Sequence, residues 1–378
     1  MDFCVQILYN DFESLYPPPP KKCVFTRGLY YNHTVGVPDM AEHVLLIDSS
    51  YEEAEGFVRG LEETTASPWE VELYPNNTTY GLRRYLKFFT VALHVVTHPA
   101  RYSGKTLLCW QQFYGIAIAF FCRLFHLKKR FRLVIMTFIY KPKSGFAGRL
   151  FERFVRYAVT SDAVDRILLT TRAEAPRYAE TFGLPLSRFG FAHCGSLPHD
   201  PAAYDDPALK AQDYYFATGR SNRDYDFLIR AFRGRPETLC IACDVLAPCP
   251  EPNVQVEPRL FGEAMLRRMR NAKAVLFAFE NDQVASGQLT FLTAMDLGVP
   301  VIVTQTQGLT DDYLTDGVTG LVVPKEEASL HEAMDRLAAD PAFAAQLSAN
   351  AEQAFRTRFT YYHAGKEVGA QVSESEMV

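Results

Sequence analysis

The chain has no apolar run long enough to span a bilayer: its longest, Ile116–Cys122, falls far short of the ~20 residues that a membrane helix needs. Its start, Met1-Asp-Phe-Cys-Val-Gln-Ile-Leu8, has neither the basic region nor the long apolar run of a secretory leader. These absences lead us to expect an intracellular protein, soluble or peripheral, in which the sequons at Asn32, Asn76 and Asn77 are chance matches. Of the eight cysteines, only Cys240-Ile-Ala-Cys243 has the spacing of a redox or zinc pair. Its alternation with apolar residues reads instead as a buried strand, and no second Cys or His pair has ligand spacing. Cys4, Cys23, Cys109, Cys122, Cys194 and Cys249 lie mostly in apolar runs, as reduced core residues do. We expect no metal.

Acidic residues are scarce in one place. Between residues 81 and 160 there is a single acid, Glu152, against fifteen Lys and Arg, in a chain whose net charge is −5. Along a helix expected from Leu82 to Val96, the polar positions Arg83, Lys87, Thr90, His94 and His98 recur at three to four residues and leave a wide apolar face. Most of that face must pack on a sheet. The basic surplus suits the anionic headgroups of a cytoplasmic leaflet, and no DNA- or RNA-binding motif accompanies it, so no nucleic-acid partner is expected.

With 378 residues, 48% hydrophobic and 22% charged, the chain reads as two globular domains. Residues 1–40 hold Pro17-Pro-Pro-Pro20, which bars regular structure there. Beyond them apolar strands alternate with helical stretches. Strands are expected at His43–Ile47, Val71–Tyr74, Thr106–Trp110, Leu133–Ile139 and Arg166–Thr170, and helices at Leu82–Val96, Ile116–Leu127, Ala147–Val159 and Glu174–Phe182. That alternation makes a doubly wound α/β domain. Pro198–Leu209 reads as a linker, so we place an N-terminal domain at 1–200 and a C-terminal domain at 201–378.

The second half is built around one strand–turn–helix–strand. Ala274–Phe279 is an apolar run of strand length, Glu280–Gln288 a small polar turn, Leu289–Leu297 a helical segment closed by Gly298, and Val299–Thr304 a second apolar run. Such a βαβ crossover implies a parallel sheet. Ser286-Gly287 opens the helix, so first-turn N–H groups and the positive end of the helix dipole converge where a phosphate can be held, with Gln288 beside them. In the first half, the strand ends place Gln111, Gln112, Tyr140 and Lys141 where an α/β sheet binds ligands.

Taken together, Gly219-Arg220, Ser286-Gly287-Gln288, Ala294-Met-Asp-Leu-Gly-Val-Pro300, Asp316-Gly-Val-Thr-Gly-Leu-Val-Val-Pro324 and Asp340-Pro341 form an ordered series. From about Tyr214 to Thr360 the chain resembles the nucleotide-sugar-binding half of GT-B glycosyltransferases, especially the retaining family 4 enzymes of cell-surface polysaccharide synthesis. The resemblance implies two Rossmann-like domains facing a cleft, with a terminal helix that crosses back to the first. It implies transfer from a nucleoside-diphosphate sugar to a lipid-linked or glycan acceptor, with no other cofactor, at the inner face of the membrane. Arg220 and Arg223 match the family's Arg and Lys that meet the donor diphosphate.

The chain departs from the family in three places. The glycine-rich loop after the first strand is missing, and Tyr140 or Lys141 stands where relatives commonly place a histidine. The two glutamates eight apart fall at Ala285 and Thr293; Thr293 could still hydrogen-bond a hydroxyl, and Glu280 or Asp282 could supply a carboxylate from the turn. Two other readings of the same architecture stay open, a nucleotide-sugar epimerase and a non-catalytic binding subunit. At the C-terminus we expect a helix from Pro341 with Leu347, Ala351 and Phe355 on one stripe, an aromatic cluster through Tyr362, and a polar tail from Glu367 whose deletion is silent.

Overall fold

Short, wholly buried apolar runs become the central strands. His43–Ile47, Thr106–Cys109, Tyr214–Thr218 and Val301–Thr304 are buried at every position, which requires cover on both faces of a sheet. The computed structural model describes residues 41–48, 51–74 and 82–376. The tetraproline, the three sequons and the segment where the glycine-rich loop was sought lie outside them.

The described chain divides into two compact units, residues 41–193 with 361–376 and residues 194–360. The division expected near residue 200 thus falls between His193 and Cys194, and the chain returns to the first unit at Tyr361.

In the first unit the elements run β1 (His43–Ile47), α1 (Tyr51–Thr65), β2 (Trp69–Leu73), α2 (Leu82–Thr97), β3 (Thr106–Cys109), α3 (Gln112–Leu124) and β4 (Arg132–Ile135). They continue with α4 (Gly145–Val159), β5 (Val164–Leu169), α5 (Glu174–Phe182) and β6 (Phe189–Phe191). The six strands are parallel in the order β2-β1-β3-β4-β5-β6. The strand order reverses between β1 and β3. Right-handed crossovers therefore put α1 on one face of the sheet and α2, α3 and α4 on the other, and α3 packs against both α2 and α4. β4 stops four residues short of the expected Ile139. Thr137 takes a left-handed φ of 51° and donates its hydroxyl to the Trp110 carbonyl (2.8 Å), which turns the chain out of the sheet.

The second unit contains β7 (Tyr214–Thr218), α6 (Tyr225–Phe232), β8 (Thr238–Ala242), β9 (Val254–Val256), α7 (Gly262–Arg270), β10 (Val275–Phe277) and α8 (Gln288–Asp296). After these come β11 (Val301–Thr304), α9 (Leu309–Tyr313), β12 (Leu321–Val323), α10 (Glu327–Ala339) and α11 (Pro341–Ala354). Its parallel order, β12-β11-β10-β7-β8-β9, reverses between β7 and β10. Met265, Phe277, Phe291 and Met295 fill one face of this sheet, and Leu228, Phe232, Leu276 and Met334 the other. The expected linker is short structure instead: a 3₁₀ turn at Pro201–Tyr204 and a helical turn at Pro207–Lys210.

The C-terminus differs from expectation. Leu347 and Ala351 on α11 and Phe355 just beyond it are buried as foreseen, but the segment expected to become a polar tail from Glu367 is the later part of α12 (Tyr361–Glu376), which packs along α1. Tyr361, Ala364, Val368 and Val372 recur as one buried stripe. The helices meet through glycines: a Cβ on Gly60 would collide with the Tyr362 carbonyl, and one on Gly365 with the Phe57 carbonyl. Few apolar residues are needed when backbones approach so closely, which is why the segment looks polar as sequence.

Candidate active site

The carboxyl ends of β7 and β10 flank the point where the strand order of the second sheet reverses, the position at which doubly wound sheets bind ligands. The loop after β7 is Gly219-Arg220-Ser-Asn-Arg223, and the loop after β10 runs from Ala278 to Gly287. Asn222, held at a left-handed φ of 56°, joins them. Its Nδ2 donates to the Asn281 carbonyl (2.8 Å) and to Ser286 Oγ (2.9 Å), and its Oδ1 accepts the Asn281 N–H (2.8 Å). Asparagine tolerates this backbone region better than most residues and has a donor and an acceptor to use from it.

Arg223 is brought to the mouth of α8. Its guanidinium donates from Nε to the Thr218 carbonyl (3.0 Å) and from Nη1 to the Ser221 carbonyl (2.9 Å), and it lies over the Phe279 ring at 5.1 Å. Gly219 (φ 118°) and Gly287 (φ 82°) leave the room it occupies. A Cβ would stand 2.7 Å from Nη2 at Gly219 and 2.8 Å from it at Gly287. Gly287 is the residue from which α8 starts, so Arg223 and the first-turn amides of α8, which lack intrahelical acceptors, add their positive charge at one place.

The remaining expected residues separate. Arg220 forms a two-pronged ion pair with Asp244, just beyond β8, a partner the sequence did not single out. Ser286 and Gln288 are buried at the mouth of α8, while Glu280 and Asp282 are exposed on the preceding loop. Thr293 does not fit the role of holding a ligand hydroxyl. It is 1% exposed, and its own hydroxyl donates to the Leu289 carbonyl inside the helix (2.8 Å).

In the first unit, Gln111 caps α3 by accepting the Phe113 N–H (2.6 Å), and Gln112 Oε1 accepts the Ile139 N–H (3.1 Å). Tyr140 is interior. Its N–H donates to Tyr178 Oη (2.9 Å), and its ring meets that of Phe182 edge-on at 5.0 Å. These three serve the local structure, against the expectation that they face a ligand; Lys141 is half-buried beside them.

Two further clusters hold the frame. At the far end of α8, fully buried Asp296 accepts from the His199 N–H and pairs with His199 Nδ1 (both 2.7 Å) and with Arg356 (2.9 Å). A carboxylate at a helix C-terminus opposes the dipole, and the Arg356 guanidinium together with the His199 hydrogen bonds offsets it. At the mouth end, Asp224 caps α6 and pairs with Lys325. Burial pushes its carboxyl pKa up, but Lys325 and the Phe227 N–H outweigh burial and hold it below the usual range. Among the described residues no three His, Cys, Asp or Glu side chains gather as a metal site requires. Cys240 donates its thiol to Glu257 (3.0 Å) inside β8, and burial raises its pKa, as a core residue's would be.

Comparison with solved structures defines the class. HepE from Anabaena, solved with UDP and glucose, superposes with a TM-score of 0.61 at 15% identity, over 88% of this chain and 99% of that one. Sucrose-phosphate synthase from Thermosynechococcus elongatus gives 0.61 at 14%, covering 89% and 99%. WaaG, a glycosyltransferase involved in lipopolysaccharide biosynthesis, gives 0.55 at 15%, covering 88% and 99%. At such identities the likeness establishes the fold, which is GT-B. No curated protein matches by sequence. Residues 220–340, which contain α8 and both loops of the site except Gly219, match the family model described as glycosyl transferases group 1. The second unit therefore carries a group 1 glycosyltransferase domain, and the protein is a glycosyltransferase.

Proposed function

We propose that the protein transfers a sugar from a nucleoside-diphosphate sugar to a lipid-linked or polysaccharide acceptor with retention of configuration, at the inner face of the cell membrane. The observation that carries the donor half is the guanidinium of Arg223, fixed between Gly219 and Gly287 at the positive end of α8. A diphosphate leaving there meets preorganised positive charge as its own negative charge grows. Arg220 is the second cation, for which the diphosphate competes with Asp244. Departure of the diphosphate on the face that the acceptor attacks demands positioning more than a dedicated base, so the reading assigns none. With Ala285 and Thr293 at the family's glutamate positions, the exposed Glu280 and Asp282 are the carboxylates left to meet the donor sugar.

The solved complex of HepE with UDP-glucose supports a nucleotide-sugar donor, and the role of WaaG supports a cell-surface acceptor, both by analogy of fold. The basic surplus of residues 81–160 supports an anionic membrane surface as the place of work. No helix of the described chain is long and apolar enough to cross a membrane.

A donor panel incubated with and without lipid extract tests the reading. Nucleoside diphosphate released only with extract, and sugar recovered in the lipid or glycan fraction, is the expected result. Release or epimerisation without acceptor would favour an epimerase, and donor binding without turnover a binding subunit.

A further inference from the structure

The outward side of the α2–α3–α4 layer is apolar where a water-facing surface is ordinarily polar. On α2 the stripe Leu86, Phe89, Leu93 runs opposite the buried Phe88, Val91 and Val95, and Leu86 and Leu93 are 53% and 43% exposed. Phe120, Phe121 and Leu124 continue it on α3, and Phe146, Leu150 and Phe154 on α4, where Phe146 is 77% exposed. The half-buried rings of Phe89, Phe120, Phe121 and Phe154 join the three helices, with centroids 5.2 Å apart for Phe120–Phe154 and 6.2 Å for Phe89–Phe120. Seven of the eleven large hydrophobic residues exposed in the described chain lie between residues 81 and 160. So dense a patch is more than the scatter of single apolar residues on an ordinary surface.

At one end of this face an open pocket of about 770 Å³ lies between the C-terminal ends of α2, α3 and α4. Its floor is apolar and buried, formed by Val95, Val96, Cys122, Phe131 and Ala163. Its rim is cationic: Arg123, His126, Lys128, Lys129 and Arg130 are all exposed, and Asp162 is the only acid lining it. Arg123 is fixed by donating to the Tyr157 carbonyl (2.9 Å) and Thr160 Oγ1 (2.8 Å), and Lys129 is paired with Asp165. The rim precedes β4 and β5, so it lies at the amino ends of the strands, away from the carboxyl ends where Gln111 and Lys141 stand. It is a different place from any acceptor site at that edge.

We propose that this face docks on a bilayer containing anionic phospholipids, with the cationic rim taking a lipid phosphate and the aromatic face lying at headgroup depth. The proposal deepens the membrane reading above and rests on it. Charge complementarity selects the occupant. Arg123, Lys128, Lys129 and Arg130 around a single lining acid, Asp162, suit an anionic surface, and aromatic and leucine side chains beside Lys and Arg are the composition of an interfacial contact.

Co-sedimentation of the full-length protein with phosphatidylcholine vesicles, with and without phosphatidylglycerol, tests it. It reads binding rather than turnover, so a protein inactive with every donor would still decide the question. We expect binding to the anionic vesicles alone, unaffected by inorganic phosphate. The exposed-site variants Lys128→Glu/Arg130→Glu and Phe146→Ser/Leu150→Ser, shown by circular dichroism to be folded, should each weaken it by roughly 10-fold or more. Equal binding to both vesicles, no binding to either, unchanged binding by both variants, or displacement by inorganic phosphate, which would mark a site for a soluble anion, would each overturn the proposal.

Discussion

At Arg223, two carbonyls and two glycines do the positioning, and each can be removed. Arg223→Ala should lower kcat/KM by roughly 10²-fold or more, the scale of losing one preorganised charge contact. Gly287→Ala keeps the arginine but puts a methyl 2.8 Å from its Nη2 at a φ of 82°, so it should cost roughly 10-fold with the fold intact, at about 1–2 kcal/mol for the strained backbone. Steady-state kinetics on both variants checks this, and wild-type turnover by Arg223→Ala would remove the donor assignment. The helix start at Ser286-Gly287 was legible as sequence because helix starts are local, and the two arginines were singled out by the resemblance. Asn222 and Asp244 were not. Their roles depend on which loop faces which, and that is set by a strand order no local pattern contains. Thr293 misled for a related reason: a position in a motif does not reveal that a hydroxyl is spent on its own helix.

Strands and helices were largely readable, since burial on both faces writes continuous apolar runs and α5 appears at the expected Glu174–Phe182. Helix α12 was not, because its contact with α1 rests on Gly60 and Gly365 more than on apolar bulk. Truncation after Lys366 should therefore destabilise the first unit, through loss of Val368 and Val372 at about 1.5–3 kcal/mol each and of the Arg166–Gln371 hydrogen bond (2.8 Å). Thermal melting would show it, and an unchanged melting temperature would contradict the packing. The same helix carries a pH dependence. Glu367 is partly buried, which raises its pKa, but hydrogen bonds from the His193 ring and N–H, with Arg172 beyond, more than offset this and hold it below the usual range. A depressed carboxyl pKa gives stability that is present above the unfolded value of about 4.3 and is lost as pH falls through the folded one. The stability gap between the wild type and Glu367→Gln should therefore be open at pH 7 and narrow below about pH 4.

For the whole molecule, the alternation of strands and helices foretold two doubly wound sheets and the resemblance implied a terminal helix that returns to the first, while the point of return, Tyr361, had to be seen in three dimensions. The acid-poor stretch was plain as sequence; that its apolar residues line an outward face was not, since a 3.6-residue period does not say which stripe meets the sheet. With Arg220 and Arg223 supplying charge at the donor site, dialysis against EDTA should leave turnover intact, and a loss restored by magnesium would contradict the arginine-only reading. The central claim is that a nucleoside-diphosphate sugar gives up its diphosphate at Arg223 and the mouth of α8. Nucleoside diphosphate release from a donor panel in lipid extract, comparing the wild type with Arg223→Ala, tests it most directly. The account predicts release from at least one donor by the wild type and its near-abolition in the variant; equal release by both proteins would contradict it.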